Sequence, residues 1–164
     1  MSVGWRLVGG GLVLVAAIIA SGEYKLYAKR RILQYEGFAA LLFHLEGMIS
    51  RYLSSGDGLY RGFENAELER IGFLPLIRGG DRPADALRRC EGQLCLSKDC
   101  LNALSDFFTG FGRDYKDREL KSISDFRTRL EEEKKSEADR LEKNVKVTSA
   151  LLIGGALAFF IMII

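Results

Sequence analysis

The chain is poor in the residues that catalysis and covalent cross-linking draw on. It has one histidine and three cysteines in 164 residues. His44 stands in a helical Leu42-Phe43-His44-Leu45-Glu46 setting with no partner nucleophile, so a histidine-based active site lacks its second member. Cys90, Cys95 and Cys100 are odd in number and spaced by five, with neither a CxxC pair nor a histidine at ligand spacing. That pattern argues against a disulfide framework and against a zinc site, and leaves reduced core or boundary thiols. Gly79-Gly80-Asp81 is not followed by the Gly-Lys-Ser/Thr of a phosphate loop. Strand-like alternation is nearly absent. An excess of one charge is missing too: 24 basic against 22 acidic residues give no electrostatic footprint for nucleic acid. The expectation is a protein that is not an enzyme and carries no cofactor or metal.

What the chain does have is two uncharged apolar stretches, Leu7 to Gly22 and Val147 to Ile164, with every charged residue except Arg6 between them. A bilayer core of about 30 Å needs roughly 20 apolar residues in a helix. The C-terminal stretch approaches that length without a charge. The N-terminal one reaches it from Val3, with Arg6 snorkelling outward and Trp5 at the headgroups. Ala20-Ser21-Gly22 resembles a signal-peptide cleavage site, but Lys25, Lys29, Arg30 and Arg31 follow it with only Glu23 to offset them. Such a flank is retained on the cytoplasmic side, as is the flank of Lys134, Lys135, Arg140, Lys143 and Lys146 before the last stretch. The expected layout is an uncleaved transmembrane helix at 3–22, a cytoplasmic domain at 23–146 and a second span at 147–164, with both termini outside. Ala16 and Ala20, and Ala150, Gly154 and Ala158, recur every four residues and are candidate packing positions in lipid. A homo-oligomer, or contact with other membrane subunits, is consistent with them.

Helical periodicity dominates the middle. Leu33, Phe38, Leu41, Leu42, Leu45, Met48, Ile49, Tyr52 and Leu53 form one face of a long helix continuing from the first span, ended by Ser54 to Gly58. A second segment runs from Leu59 to Ile71, and Gly72 to Gly80 reads as a connector. Asp81-Arg82-Pro83 restarts a helix with Ala84, Leu87 and Leu94 inward. Ser97 caps the next, which carries Leu101, Leu104, Phe107, Phe108 and Phe111 as core. Asp114 is the expected cap of the last helix, with Asp117 three residues on. Its stripe Leu120, Ile123, Phe126, Leu130 gives way to a solvated Glu131–Lys135 turn, and Glu131–Lys135, Asp139–Lys143 and Glu142–Lys146 stand at the favourable spacing of four. The fold expected is all-α: an antiparallel bundle of about five to six helices flanked by two transmembrane helices. Arg88, Arg89, Arg113 and Lys116, around the middle loops, are the candidate partner-binding patch.

Leu104-Ser105-Asp106-Phe107-Phe108, Phe111-Gly112, Glu119-Leu120 with Ile123, and Leu151-Leu152-Ile153-Gly154-Gly155 together resemble the stage III sporulation protein AB family of endospore-forming bacteria. That family's pattern before its last long helix is Leu-Gly-x-Ser/Thr-Asp with a glutamine four residues on. Here Phe111-Gly112-Arg113-Asp114-Tyr115 leads to Glu119, which keeps a capping oxygen in Asp114 and makes the glutamine contact a charged one. The resemblance implies a non-enzymatic platform component of the secretion-like channel between mother cell and forespore, in the outer forespore membrane. It implies a soluble domain similar to the inner-membrane platform of type II secretion and type IV pilus machines, with a cytoplasmic hexameric ATPase as partner. The alternative is a membrane-tethered regulatory adaptor, unrelated to a secretion machine, that offers Glu131 to Lys146 to its partner.

Overall fold

The computed structural model describes residues 3–52, 57–60, 62–113 and 115–163, with only the backbone described at 3–8, 10, 52, 57, 160 and 163. Among the described residues there are six α-helices and no strand. They are α1 (Val3–Tyr52), α2 (Ala66–Arg70), α3 (Phe73–Arg78), α4 (Pro83–Arg89), α5 (Lys98–Gly110) and α6 (Lys116–Ile163), with 3-10 turns at Asp57–Tyr60 and Glu91–Gln93. The chain divides into two compact units, Met1–Lys29 with Glu137–Ile164, and Arg30–Ser136. These boundaries fall inside those drawn from hydropathy, within α1 and α6 rather than at helix ends.

In the first unit the two chain ends pack through small residues. Ser21 Oγ donates to Ser149 Oγ at 2.8 Å, and Ser21, Ala28, Leu141 and Ala156 are buried. The outward face is apolar: Leu12, Ile18, Ile19, Leu151, Ile161 and Met162 are each at least 60% exposed. Among the described residues one stretch, beginning at Gly11 in α1, is long and apolar enough to cross a membrane.

The second unit is built on one face of α1. Tyr35, Phe38, Leu41, Leu42 and Leu45 are fully enclosed there, and they meet Leu68 of α2, Phe73 and Leu74 of α3, Leu104 of α5 and Ile123 of α6 in a single core. Aromatic rings link the helices in series: Phe38 to Phe73 at 5.1 Å, Phe73 to Phe108 at 6.0 Å, Phe108 to Phe107 at 5.3 Å, and Phe107 stacked on Phe126 at 4.8 Å. Such pairs add about 0.5–1.5 kcal/mol each beyond area burial.

Gln34 is the polar exception on that face and is fully buried. Its Oε1 accepts Cys95 N–H at 2.6 Å, while Nε2 donates to the Gln93 carbonyl at 3.1 Å and to Glu67 Oε1 at 3.2 Å. Three residues on, Gly37 lets α2 come close. A Cβ there would lie 3.0 Å from both Leu68 Cγ and Asn65 Oδ1, the oxygen that caps α2 by accepting from Glu67 N and Leu68 N.

Within the segment from Leu59 to Ile71 the chain turns at Gly62, and Asn65 caps a helix that starts only at Ala66. The next segment differs from its sequence reading. Gly72 to Gly80, read as a connector, contains α3, with Phe73, Leu74 and Ile77 buried. Pro75 sits in its first turn, where its missing N–H has no intrahelical acceptor to lose, and Gly72 supplies the left-handed φ of +84° that turns α2 into α3. The Ser97 cap is present, its Oγ accepting Cys100 N–H at 3.1 Å.

Asp114 lies outside the described residues. The visible anchor of the α5–α6 loop is Glu119, nearly buried, whose Oε1 accepts Gly112 N–H at 2.8 Å and Arg113 N–H at 3.1 Å. Of the three spaced ion pairs only Glu142–Lys146 forms, at 2.6 Å; Glu133 instead takes Arg129, and Lys134 lies 3.9 Å from Glu36 on α1.

Gln34→Leu strips the partners from the Cys95 N–H and the Gln93 carbonyl. Denaturation of the full-length protein in detergent is expected to show a loss of about 2–4 kcal/mol. Glu119→Ala is expected to cost about 1–3 kcal/mol, whereas Glu119→Gln, which keeps an acceptor oxygen, stays within about 1 kcal/mol of the parent. The Arg70 guanidinium, and then the Gln34 amide, hold the Glu67 carboxyl below the usual range against its own partial desolvation. Its stabilisation is therefore complete above the ordinary glutamate range and is lost as pH falls through the lowered value. Glu67→Gln should flatten that acid limb.

Candidate functional site: an arginine-rimmed pocket

The turn into α4 places charge and apolar surface side by side. Arg82 occupies the N-cap in an extended conformation (φ −68°, ψ 144°), and Pro83 fixes the first helical residue. Asp85 and Arg88 then follow at one-turn spacing on the face that looks toward the end of α5. There Phe108, Thr109 and Phe111 lead into a loop whose Gly112 has φ +83°, bringing Arg113 to the same hollow. The result is a pocket of about 540 Å³ with Phe108 and Phe111 among its walls and three guanidinium groups, Arg82, Arg88 and Arg113, on its lining.

One carboxylate, Asp85, lines the pocket against these three cations. It is paired with Arg88 three residues on, but the Arg88 side chain is 73% exposed. An exposed i,i+3 pair of this kind contributes roughly 0–1 kcal/mol, so an incoming acidic group can displace it. Guanidinium forks bind carboxylates in bidentate fashion, and the phenyl rings offer apolar area beside them. The chemistry suited to this pocket is recognition of an acidic peptide segment carrying an apolar side chain.

The four residues singled out by sequence separate here. Arg88 and Arg113 come together. Arg89 projects elsewhere and pairs with Asp81 at 2.5 Å. Lys116 donates from Nζ to the Ser50 carbonyl at 2.8 Å, joining the start of α6 to the end of α1. Arg82 was missed; its signal was the Asp81-Arg82-Pro83 helix start, which sets the residue before the proline at the rim. Ala16, Ala20, Ala150, Gly154 and Ala158 are all exposed in this chain, one position or more away from the buried Ser21 and Ala156. His44 packs against Phe63 at 5.2 Å with Nε2 3.1 Å from the Leu59 carbonyl. Among the described residues no three His, Cys, Asp or Glu side chains cluster in a way that could hold a metal.

The stage III sporulation protein AB family model matches residues 83–164, half of the chain, from the first residue of α4 through α5 and α6. The chain belongs to the stage III sporulation protein AB family. It is thus a protein of the third stage of sporulation. Searches of curated proteins and of solved structures give no match. All of the pocket except Arg82 lies within the part of the chain that the family model covers.

The three thiols of this family member are set apart by burial. Desolvation pushes Cys90 up to about 11 and Cys100 up to about 12, the latter helped by the nearby Glu133 charge; Cys95, half-buried, is raised as well. At neutral pH a maleimide is expected to modify Cys95 first and slowly, with Cys90 and Cys100 reacting only after denaturation. Mass spectrometry of peptides from native and denatured protein checks the order.

Proposed function

We propose that this protein is a non-enzymatic platform of the secretion-like apparatus between mother cell and forespore. In this reading both ends of the chain span the membrane and the Arg30–Ser136 bundle docks a cytoplasmic hexameric ATPase. Family membership supports the setting. The apolar outward face of both terminal segments supports the anchoring, because Leu151, Ile161 and Met162 are as exposed as Leu12 and Ile18. The basic flanks support a cytoplasmic bundle with both termini outside, in the outer forespore membrane.

The observation that carries the docking is the pocket. Three arginines opposed by one carboxylate over phenyl walls suit an acidic, partly apolar segment of a protein partner. Other membrane subunits of the apparatus would meet the lipid-facing small residues.

Binding of the purified sporulation ATPase to the full-length protein in detergent tests this. The parent should bind, and Arg88→Glu with Arg113→Glu should weaken binding at least about tenfold, or 1.4 kcal/mol. Arg89→Glu, outside the pocket, should leave affinity within about threefold. No detectable binding by the parent removes the proposed mechanism, and equal losses from Arg89→Glu move the site off the pocket.

A further inference from the structure

On another side of the bundle, α5 and α6 leave an open groove of about 900 Å³. Phe107 and Phe126, stacked at 4.8 Å and 13°, form part of it. The charge along its walls is segregated. On α5 the groove is lined by Asp99 and Asp106, two turns apart on one face. On α6 it is lined by Arg118, Lys121 and Arg129, with Asp125 among them, a stripe at spacings of three and four. Arg129 turns to Glu133 on its own helix. Among the described residues Asp99, Asp106 and Lys121 take part in no ion pair, so the two walls do not neutralise each other across the gap.

An acidic wall beside a basic wall is self-complementary. A two-fold axis along the groove sets α5 of one copy against α6 of the other, twice over, so that each acidic wall meets a basic one. The same axis keeps the two groove-lining segments of α6 parallel. A partner of uniform charge would match one wall and be repelled by the other. A copy of the same surface matches both.

We propose that the α5–α6 groove is the contact between two copies of this chain. The pairing covers Phe107 and Phe126 and sets Asp99 and Asp106 of each copy against Lys121 and Arg129 of the other. The apolar strip is narrow and the charges are exposed, so the association is salt-sensitive and is strengthened by confinement in a membrane. This contact stands independently of ATPase docking, which uses a different face of α4 and α5.

The test is energy transfer between donor- and acceptor-labelled full-length chains in phosphatidylcholine vesicles. Two variants are used: Asp99→Lys with Asp106→Lys, which reverses the acidic wall, and Lys121→Glu with Arg129→Glu, which reverses the basic one. The parent should show transfer above that of an unrelated membrane helix at the same density. Each variant alone should associate at least tenfold more weakly, because like walls then face each other. Mixing the two variants should restore association to within threefold of the parent, since the mixed pair regains both complementary contacts. That restoration also shows that the variants are folded. Absence of transfer in the parent, parental association of either variant alone, or a mixture no better than its components overturns the proposal.

Discussion

Gln34 sits in an otherwise apolar helix face, where burying its amide is unfavourable unless each polar atom is matched. An unpaired amide in such a place costs about 1–3 kcal/mol, and the site offers partners in one register only. The Cys95 N–H, the Gln93 carbonyl and the Glu67 carboxylate must all arrive together. Meeting that condition fixes both α2 and the turn before α5 on the side of α1. Leucine contacts along the same face tolerate sliding; three directed hydrogen bonds do not. The short helices α2 to α4, each of five to seven residues, are too short to be stable alone and depend on that anchoring.

The long elements were legible in the sequence because their apolar stripes carry many repeats. Phe38, Leu41, Leu42 and Leu45 of α1, Leu104 and Phe108 of α5, and Ile123 and Leu130 of α6 are buried as the periodicity implied. Ser97 and Pro83 mark helix starts through local chemistry that sequence displays directly. The short helix α3 was hidden because glycine and proline signal a break, while the structure uses Gly72 as a left-handed cap and Pro75 inside the first turn. Gln34 and Gly37 could not be read at all, and Glu119 only as a charged contact where the resembled family carries glutamine. Their partners lie in other elements or across a loop, and no local pattern announces a three-bond amide or a glycine at a helix crossing.

The candidate site was half legible for a geometric reason. Arg88 and Arg89 are adjacent in sequence, and adjacent helical residues point about 100° apart, so only one of them can face α5. Arg113 reaches the pocket because Gly112 reverses the loop, and Lys116 is drawn to the Ser50 carbonyl by the pairing of α6 with α1. The same helix geometry that gathers three arginines in one hollow leaves the acids of α5 and the bases of α6 on another face. Charge that nearly cancels over the whole chain is thus strongly sorted locally, which net composition conceals.

The platform account stands on the bundle being displayed to the cytoplasm. The direct test is side-specific thiol labelling of the protein expressed in the plasma membrane of intact, non-sporulating cells, with Cys90, Cys95 and Cys100 replaced by alanine and single cysteines introduced at either end of the chain or as Glu91→Cys. The account predicts that a membrane-impermeant maleimide labels the terminal cysteines in intact cells and reaches Glu91→Cys only after permeabilisation. Labelling of Glu91→Cys in intact cells would contradict it, because a bundle on that side meets no cytoplasmic ATPase.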